Sequence, residues 1–376
     1  MNYNKSYQKY LKKMVYKNLP NQNFNTKKDF YKYFFIIPVY NEYPIVLKTL
    51  DSINKQKNKL LNDTLVVLII NNKENTDLEI INNNDKSYKT IKDKEYFYEC
   101  ITLDYYSKKN SLPGSQSGVG IARKIGMDFI LKYAKKNSLI FSVDADTIIA
   151  KNYLSIIVDA YHQEHFQACT INFKHLKSKD SIINKGIQIY EKALYHMAGK
   201  IKESGSPYGY VSMGSAIGCT VEAYIAIGGM CQKDAAEDFY FMQSLAKFTN
   251  IYTIKDFLVY PSSRSEQRVH LGTGYRMKQF KKNQTFENLF FNDNSYKSIK
   301  QLILLIEKNY NQSYEILNKE LNEYFDHNIC NFLYIHRLNN IWDKINQNAK
   351  SKKQFMLFFH QWFDALKIMQ FLKTIN

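Results

Sequence analysis

The chain has 376 residues, 45% of them apolar, and a formal net charge of +17 from 52 Lys and Arg against 35 Asp and Glu. That length can bury a large core, as one large domain with additions or as two domains, and the composition excludes wholesale disorder. The cationic excess points to anionic partners: a nucleotide, an acidic or phosphorylated acceptor, nucleic acid or a membrane surface. Cys100, Cys169, Cys219, Cys231 and Cys330 are scattered, with no C-x-x-C spacing. A disulfide framework or zinc site is therefore not expected, and a reducing cytoplasm is the simplest setting. With no apolar stretch behind the N-terminal lysines and no run of 18 apolar residues, neither a signal peptide nor a transmembrane helix is expected.

Residues 1–33 carry eight Lys and a single acid, Asp29. Tyr7, Tyr10, Leu11 and Met14 repeat with helical spacing, which predicts a short amphipathic helix in a basic arm that packs loosely on the main domain. The alternative for this arm is contact with an anionic membrane or nucleic acid. Residues 33–39 and 65–70 are apolar runs that read as buried strands, with an amphipathic helix between them over Ile45, Val46, Leu50 and Ile53. Strand, helix, strand at this spacing makes a βαβ unit with a parallel pair, and both polar strand ends then share one rim. Residues 73–95 read as a polar surface excursion, and 97–103 as a further strand.

A glycine-bearing loop at 111–120 leads into a helix over 121–133 that opens with Ala122-Arg123-Lys124. The helix start and its two cations offer positive potential to a phosphate. The loop does not follow a first strand as a dinucleotide loop must, and no Tyr-x-x-x-Lys pair lies at a sensible distance, so a short-chain dehydrogenase is rejected. Leu139, Ile140, Phe141 and Val143 then make a buried strand that ends at Asp144-Ala-Asp146. Two carboxylates that close are unfavourable without a cation between them, and hard oxygen ligands suit Mg²⁺ or Mn²⁺. In isolation the pair also reads as a solvated loop, with Asp146 capping a helix that starts near Thr147.

Farther on, the pattern predicts a strand at 166–173, a helix at 182–202, a flexible Gly/Ser/Tyr stretch at 206–218, a helix opening at Glu237-Asp238 and a strand at 251–260. His270 is a candidate for completing a metal shell, and Arg264 or Arg268 for meeting phosphate. All fourteen glycines lie between Gly114 and Gly274, and neither Gly nor Pro occurs beyond. Residues 276–376 therefore read as a mainly helical region, closed by an apolar helix over 355–372 that packs against the rest.

The series Ile36-Ile-Pro-Val-Tyr-Asn-Glu42, Gly118-Val-Gly-Ile-Ala-Arg123, Val143-Asp-Ala-Asp146, Gly228-Gly229 and Glu237-Asp238 resembles the family 2 glycosyltransferases. The resemblance spans about residues 33–275. It implies an α/β, GT-A-like Rossmann-type sandwich with a mainly parallel central sheet, here with an α-helical C-terminal region. The division it suggests is a basic arm at 1–33, a GT-A-like domain at 34–275 and a helical region at 276–376. Within the domain, 34–147 would bind the nucleotide and 148–275 the acceptor. By the same resemblance, Pro38, Tyr40 and Glu42 would cradle base and ribose, with Asn71 beside Asn72 near the base. Arg123 and Lys124 would face the donor, Asp144 and Asp146 would hold Mn²⁺ or Mg²⁺, and Asp238 would be the catalytic base with Glu237 beside it.

The expected activity is metal-dependent, inverting transfer of a single sugar from a nucleotide-sugar donor, UDP- or GDP-linked, to a glycan, lipid-linked or small-molecule acceptor. No Gln-x-x-Arg-Trp sequence accompanies the pattern, which favours one transfer over polymerisation. The expected location is the cytoplasm, with peripheral contact at the inner face of the membrane, and no nucleic-acid partner is expected. The alternative is a basic nucleic-acid- or membrane-surface-binding protein that keeps a degenerate transferase domain.

Overall fold

A computed structural model of the protein describes residues 3–20, 24–114, 117–232, 236–265, 272–286 and 289–375. The unbroken apolar runs at Tyr31–Val39 (β1) and Thr64–Asn71 (β2) are buried almost throughout, as parallel strands covered on both faces must be. They pair in parallel from Tyr33 opposite Thr64 to Val39 opposite Ile70. Glu99–Tyr105 (β3), Ala134–Ser142 (β4), Ile148–Ile149 (β5), Ala168–Phe173 (β6), Ile217–Thr220 (β7) and Ile251–Tyr260 (β8) complete one sheet, in the order β3-β2-β1-β4-β7-β6-β8-β5. The half built from β3, β2, β1 and β4 is all parallel, matching the sheet that the resemblance implied. The other half is mixed, because β7 runs antiparallel to both β4 and β6.

The helices are Tyr3–Lys13 (α1), Ile45–Asn54 (α2), Asn58–Leu61 (α3), Leu78–Asp93 (α4), Val119–Phe129 (α5), Tyr153–Glu164 (α6), Ser181–Glu203 (α7) and Val221–Ala226 (α8). Glu237–Phe248 (α9), Thr273–Asn283 (α10), Asp293–Lys308 (α11), Tyr314–Tyr324 (α12), His327–Ile335 (α13), Leu338–Asn348 (α14), Lys352–Trp362 (α15) and Ala365–Thr374 (α16) follow. None of the described helices is long and apolar enough to cross a membrane. The chain falls into two compact units, residues 1–187 with 212–285, and residues 188–211 with 286–376. The first holds the sheet. In the second, Trp342 and Phe355 are fully buried edge to face at 5.3 Å, and Trp342 Nε1 donates to the Gln312 carbonyl at 2.9 Å.

The structure corrects several sequence readings. The polar excursion at 73–95 is largely helix α4, whose buried side is Asn84, Ser87 and Ile91; two of those three are polar, so no apolar stripe announced it. Thr147 starts no helix. It precedes β5, and α6 begins only at Tyr153, so Asp146 caps nothing. The stretch at 206–218 is held rather than flexible, since Tyr208, Val211 and Ser215 are buried and its end enters β7. The closing apolar segment is two helices, broken where the Asp364 side chain accepts from the Lys367 N–H and caps α16.

The N-terminal arm is not loosely packed. Tyr10 is 2% exposed, and its hydroxyl donates to Asp128 Oδ1 at 2.6 Å. Asp128 also accepts from Tyr224 OH at 2.7 Å and from the Tyr16 N–H at 2.8 Å, and Lys124 Nζ lies 2.9 Å away. Two of these four donors, from Tyr10 and Tyr16, come from the arm and tie it to a buried carboxylate that the main domain already satisfies in part. The arm's Lys5, Lys9, Lys12 and Lys13 remain exposed on the opposite side.

Candidate active site

Pairing between β1 and β4 ends at Ile36 opposite Ser142, while β1 continues beside β2. Pro38, which lacks an N–H, falls just past that point, where β4 no longer needs one. Beyond the end of β4, Val143 still donates to the Ile36 carbonyl at 3.1 Å, and Asp144-Ala-Asp146 follows in a turn closed by Thr147 N–H to the Asp144 carbonyl at 3.1 Å. One side of α2 fixes this turn and what comes after it. Thr49 Oγ1 donates to the Ala145 carbonyl at 2.8 Å, Ser52 Oγ accepts from the Ile149 N–H at 3.1 Å, and Gln56 grips Ala150 and Leu154. Thr49 and Ser52 lie on one face of α2 and Gln56 follows just past its end at Asn54, so α2 and the residues after it serve as a splint for the carboxylate turn. The sequence reading missed all three.

Arg123, in α5, is 3% exposed and spans two acids from different elements. Nη2 donates to Asp144 Oδ1 and Nη1 to Glu237 Oε1 at the start of α9. Asp144 Oδ2 accepts from Ser215 Oγ, which also accepts from Thr147 Oγ1 at 3.1 Å. Ser215 and its neighbour Gly214 sit just ahead of β7, the strand inserted beside β4. The sequence reading missed both, and the Gly-Ser pair in an otherwise unassigned stretch was their only signal.

Asp238, next to Glu237 in the first turn of α9, accepts from its neighbour Phe239 N–H at 2.8 Å through Oδ1. Burial pushes its carboxyl above the ordinary aspartate value, and Arg123 only partly offsets this, with Asp144 adding repulsion. Glu237 is raised in the same way, by burial first, against the pull of Arg123 and with the push of Asp238. A first-turn position alone would lower both, so desolvation outweighs the helix dipole here.

On the other side of the turn, Arg264 Nη2 lies 2.6 Å from Asp146 Oδ2 and 2.9 and 3.0 Å from the two oxygens of Glu42. Glu42 follows β1 and is 5% exposed. The Asp146 carboxyl is raised by burial and by repulsion from Asp144 and Glu42, with Arg264 opposing. Asp144 and Asp146 are 36% and 22% exposed, so their oxygens are open to a hard divalent cation. Among the described residues no group of three or more His, Cys, Asp and Glu side chains is placed to hold a metal ion. His270 and Arg268 lie outside the described residues.

The remaining sequence candidates divide. Tyr40 stands half-buried at the end of β1. Asn71, 4% exposed at the end of β2, donates to the Ser117 carbonyl at 3.0 Å and ties that strand end to the glycine loop. Asn72 is engaged with Asn84 and Lys73. Lys124 does not join the carboxylate cluster. It is buried against Asp128 and Tyr10, so the helix that brings Arg123 to the acids directs its neighbour to the N-terminal arm. Gly228 and Gly229, at φ of 86° and 81°, likewise serve the arm: a Cβ at Gly229 would overlap the Tyr10 hydroxyl, and one at Gly228 would come 3.1 Å from the Met14 sulfur.

The sequence profile described as Glycosyl transferase family 2 matches residues 34–220. No curated protein sequence matches the chain at a significant level. Among solved structures, S. aureus TarS 1-349 in complex with UDP-GlcNAc is similar at 14% identity and a TM-score of 0.43, over 91% of this chain and 81% of that one. The mannosyltransferase PcManGT from Pyrobaculum calidifontis, in complex with GDP-Man and Mn²⁺, is similar at 13% identity and a TM-score of 0.41, over 96% and 93%. Glucosyl-3-phosphoglycerate synthase from Mycobacterium tuberculosis, in complex with UDP, is similar at 12% identity and a TM-score of 0.38, over 65% and 76%. With the profile match running from β1 to the end of β7, through the carboxylate turn and Ser215, residues 34–220 form a glycosyltransferase family 2 domain.

Proposed function

We propose that the protein transfers a single sugar from a nucleotide-sugar donor to an acceptor hydroxyl with inversion, assisted by Mn²⁺ or Mg²⁺. The observation that carries this reading is Arg123, which ties the Asp144 carboxylate at the end of β4 to the Glu237-Asp238 pair at the start of α9. Asp144 and Asp146 would hold the divalent cation, whose charge, when bound, eases departure of the nucleoside diphosphate. Pro38, Tyr40 and Asn71 line the strand ends on the nucleotide side, and residues 34–147 are assigned to the donor and 148–275 to the acceptor. Asp238 takes the proton from the acceptor hydroxyl as that oxygen attacks the anomeric carbon from the face opposite the leaving group. Its raised pKa makes the Asp238 carboxylate a stronger base toward that proton. Glu237 and Arg123 position Asp238 and Asp144 without touching the reacting atoms. A cytoplasmic setting is part of the proposal, supported by five scattered cysteines with no C-x-x-C spacing.

The test is thermal unfolding of the full chain with UDP, GDP, dTDP or CMP, each with and without Mn²⁺, for wild type and Asp146→Asn. A nucleotide at a hundredfold over its Kd stabilises by about 2.7 kcal/mol. One nucleotide should give a Mn²⁺-dependent shift that Asp146→Asn abolishes. Silence with every nucleotide, together with salt-dependent retention on polyanions by both proteins, would overturn the proposal in favour of a basic binding protein.

A further inference from the structure

Three carboxylates, from Glu42, Asp144 and Asp146, stand together at the ends of β1 and β4, and each is already matched to an arginine. Asp144 has Arg123, which is 3% exposed and held by Glu237 on its other side. Glu42 and Asp146 share Arg264, whose one nitrogen reaches both at 2.6 to 3.0 Å. The two arginines differ in how firmly they are seated. Arg123 is enclosed in the core, with Gly214 packed on its guanidinium. Arg264 is 23% exposed and follows β8 in a segment that is neither helix nor strand. A divalent cation approaching Asp146 Oδ2 therefore meets a charge of its own sign on the same oxygen. The two like charges repel at that range, so a cation bound to this oxygen weakens the guanidinium's hold on it.

We propose that Arg264 is an exchangeable counter-ion. It neutralises Asp146 and Glu42 before the donor binds, yields Asp146 to the incoming divalent cation, and then offers its guanidinium to the donor's diphosphate. This rests on the metal-dependent transferase reading given above. Arginine suits the exchange because its planar fork serves carboxylate and phosphate alike. Arg264 thus lowers affinity for the bare ion and, by touching the diphosphate, raises affinity for the nucleotide once the ion is present. The site is thereby tuned to load cation and donor together.

The signature is a pair of changes with opposite sign, which a structural salt bridge would not give. Mn²⁺ alone is titrated into full-length wild type, Arg264→Gln and Arg264→Lys by electron paramagnetic resonance. UDP and GDP are then titrated by calorimetry at saturating Mn²⁺. Arg264→Gln should bind Mn²⁺ alone at least fivefold more tightly than wild type, and the preferred nucleotide at least fivefold more weakly. Should that variant fail to fold, Arg264→Lys carries the test: its Mn²⁺ affinity should stay within twofold of wild type while nucleotide affinity falls. Loss of both affinities together, or no change in Mn²⁺ affinity in Arg264→Gln, overturns the exchange. A wild type that binds neither Mn²⁺ nor either nucleotide overturns the transferase reading itself, and the exchange with it.

Discussion

Gly214 and Arg123 touch so closely that a Cβ on Gly214 would overlap Nη2 and stand 3.0 Å from the guanidinium carbon. Gly214→Ala must therefore push the guanidinium off its line between Asp144 and Glu237. Displacement of about 1 Å in a positioning group costs on the order of a hundredfold in rate. The expected result is a loss of that size in kcat/KM with a much smaller change in melting temperature, measured by initial rates and calorimetry on the same preparation.

Arg123→Met should be costly in a different way. Glu237 is 5% exposed, and the substitution leaves its charge buried without a partner, a change worth about 3–5 kcal/mol. Pairing it with Glu237→Gln removes that charge and should recover part of the loss. Urea denaturation of the two single variants and the double variant gives the coupling directly.

Asp238 links pH to both activity and stability. Its carboxyl is raised from 3.8 chiefly by burial, so the acid limb of kcat/KM should lie above the ordinary aspartate range. The same shift means that holding the charge opposes folding. The penalty is fully present above the folded-state pKa and vanishes as pH falls through the unfolded value of 3.8, where the group is protonated in both states. Asp238→Asn should accordingly abolish transfer yet raise stability at pH 7, and its advantage over wild type should disappear near pH 3.8. Denaturation midpoints measured from about pH 3 to about pH 8 decide it.

Lys124 should matter for folding and not for the donor. Lys124→Met leaves the fully buried Asp128 carboxylate without its cation and should cost about 3 kcal/mol or more. Tyr10→Phe removes one hydrogen bond to the same group and should cost about 1–2 kcal/mol. Nucleotide affinity of the folded fraction should stay within twofold of wild type in both variants. A tenfold loss in Lys124→Met would instead place that lysine at the donor.

What could be read from the sequence follows the apolar residues. Each face of β1, β2 and the second half of β4 is buried, so these stretches appear as unbroken runs, and their ends place Glu42, Asn71 and Asp144. Helix α4 escaped because Asn84 and Ser87 spend their polarity on Asn72, on the Asn41 N–H and on the helix's own backbone. Ser215 and the Thr49, Ser52 and Gln56 splint act through hydrogen bonds that carry no sequence period. The neighbours Arg123 and Lys124 read as one basic patch, whereas a helix separates adjacent residues by about 100° and sends these two to different acids.

The seat of Tyr10 over Gly229 sets homology and architecture at odds. The family profile begins at residue 34, yet the space left by Gly228 and Gly229 is filled by a helix from residues 3–13. Trimming the protein to its recognisable segment would uncover Asp128 and strip the carboxylate of Tyr10 and of the Tyr16 amide. The smallest autonomous folding unit is therefore larger than the evolutionary one. Boundaries for expression, crystallisation or domain grafting belong ahead of α1, and a tag fused close to Tyr3 would bear on the same joint that secures α5 and, one residue from Lys124, Arg123.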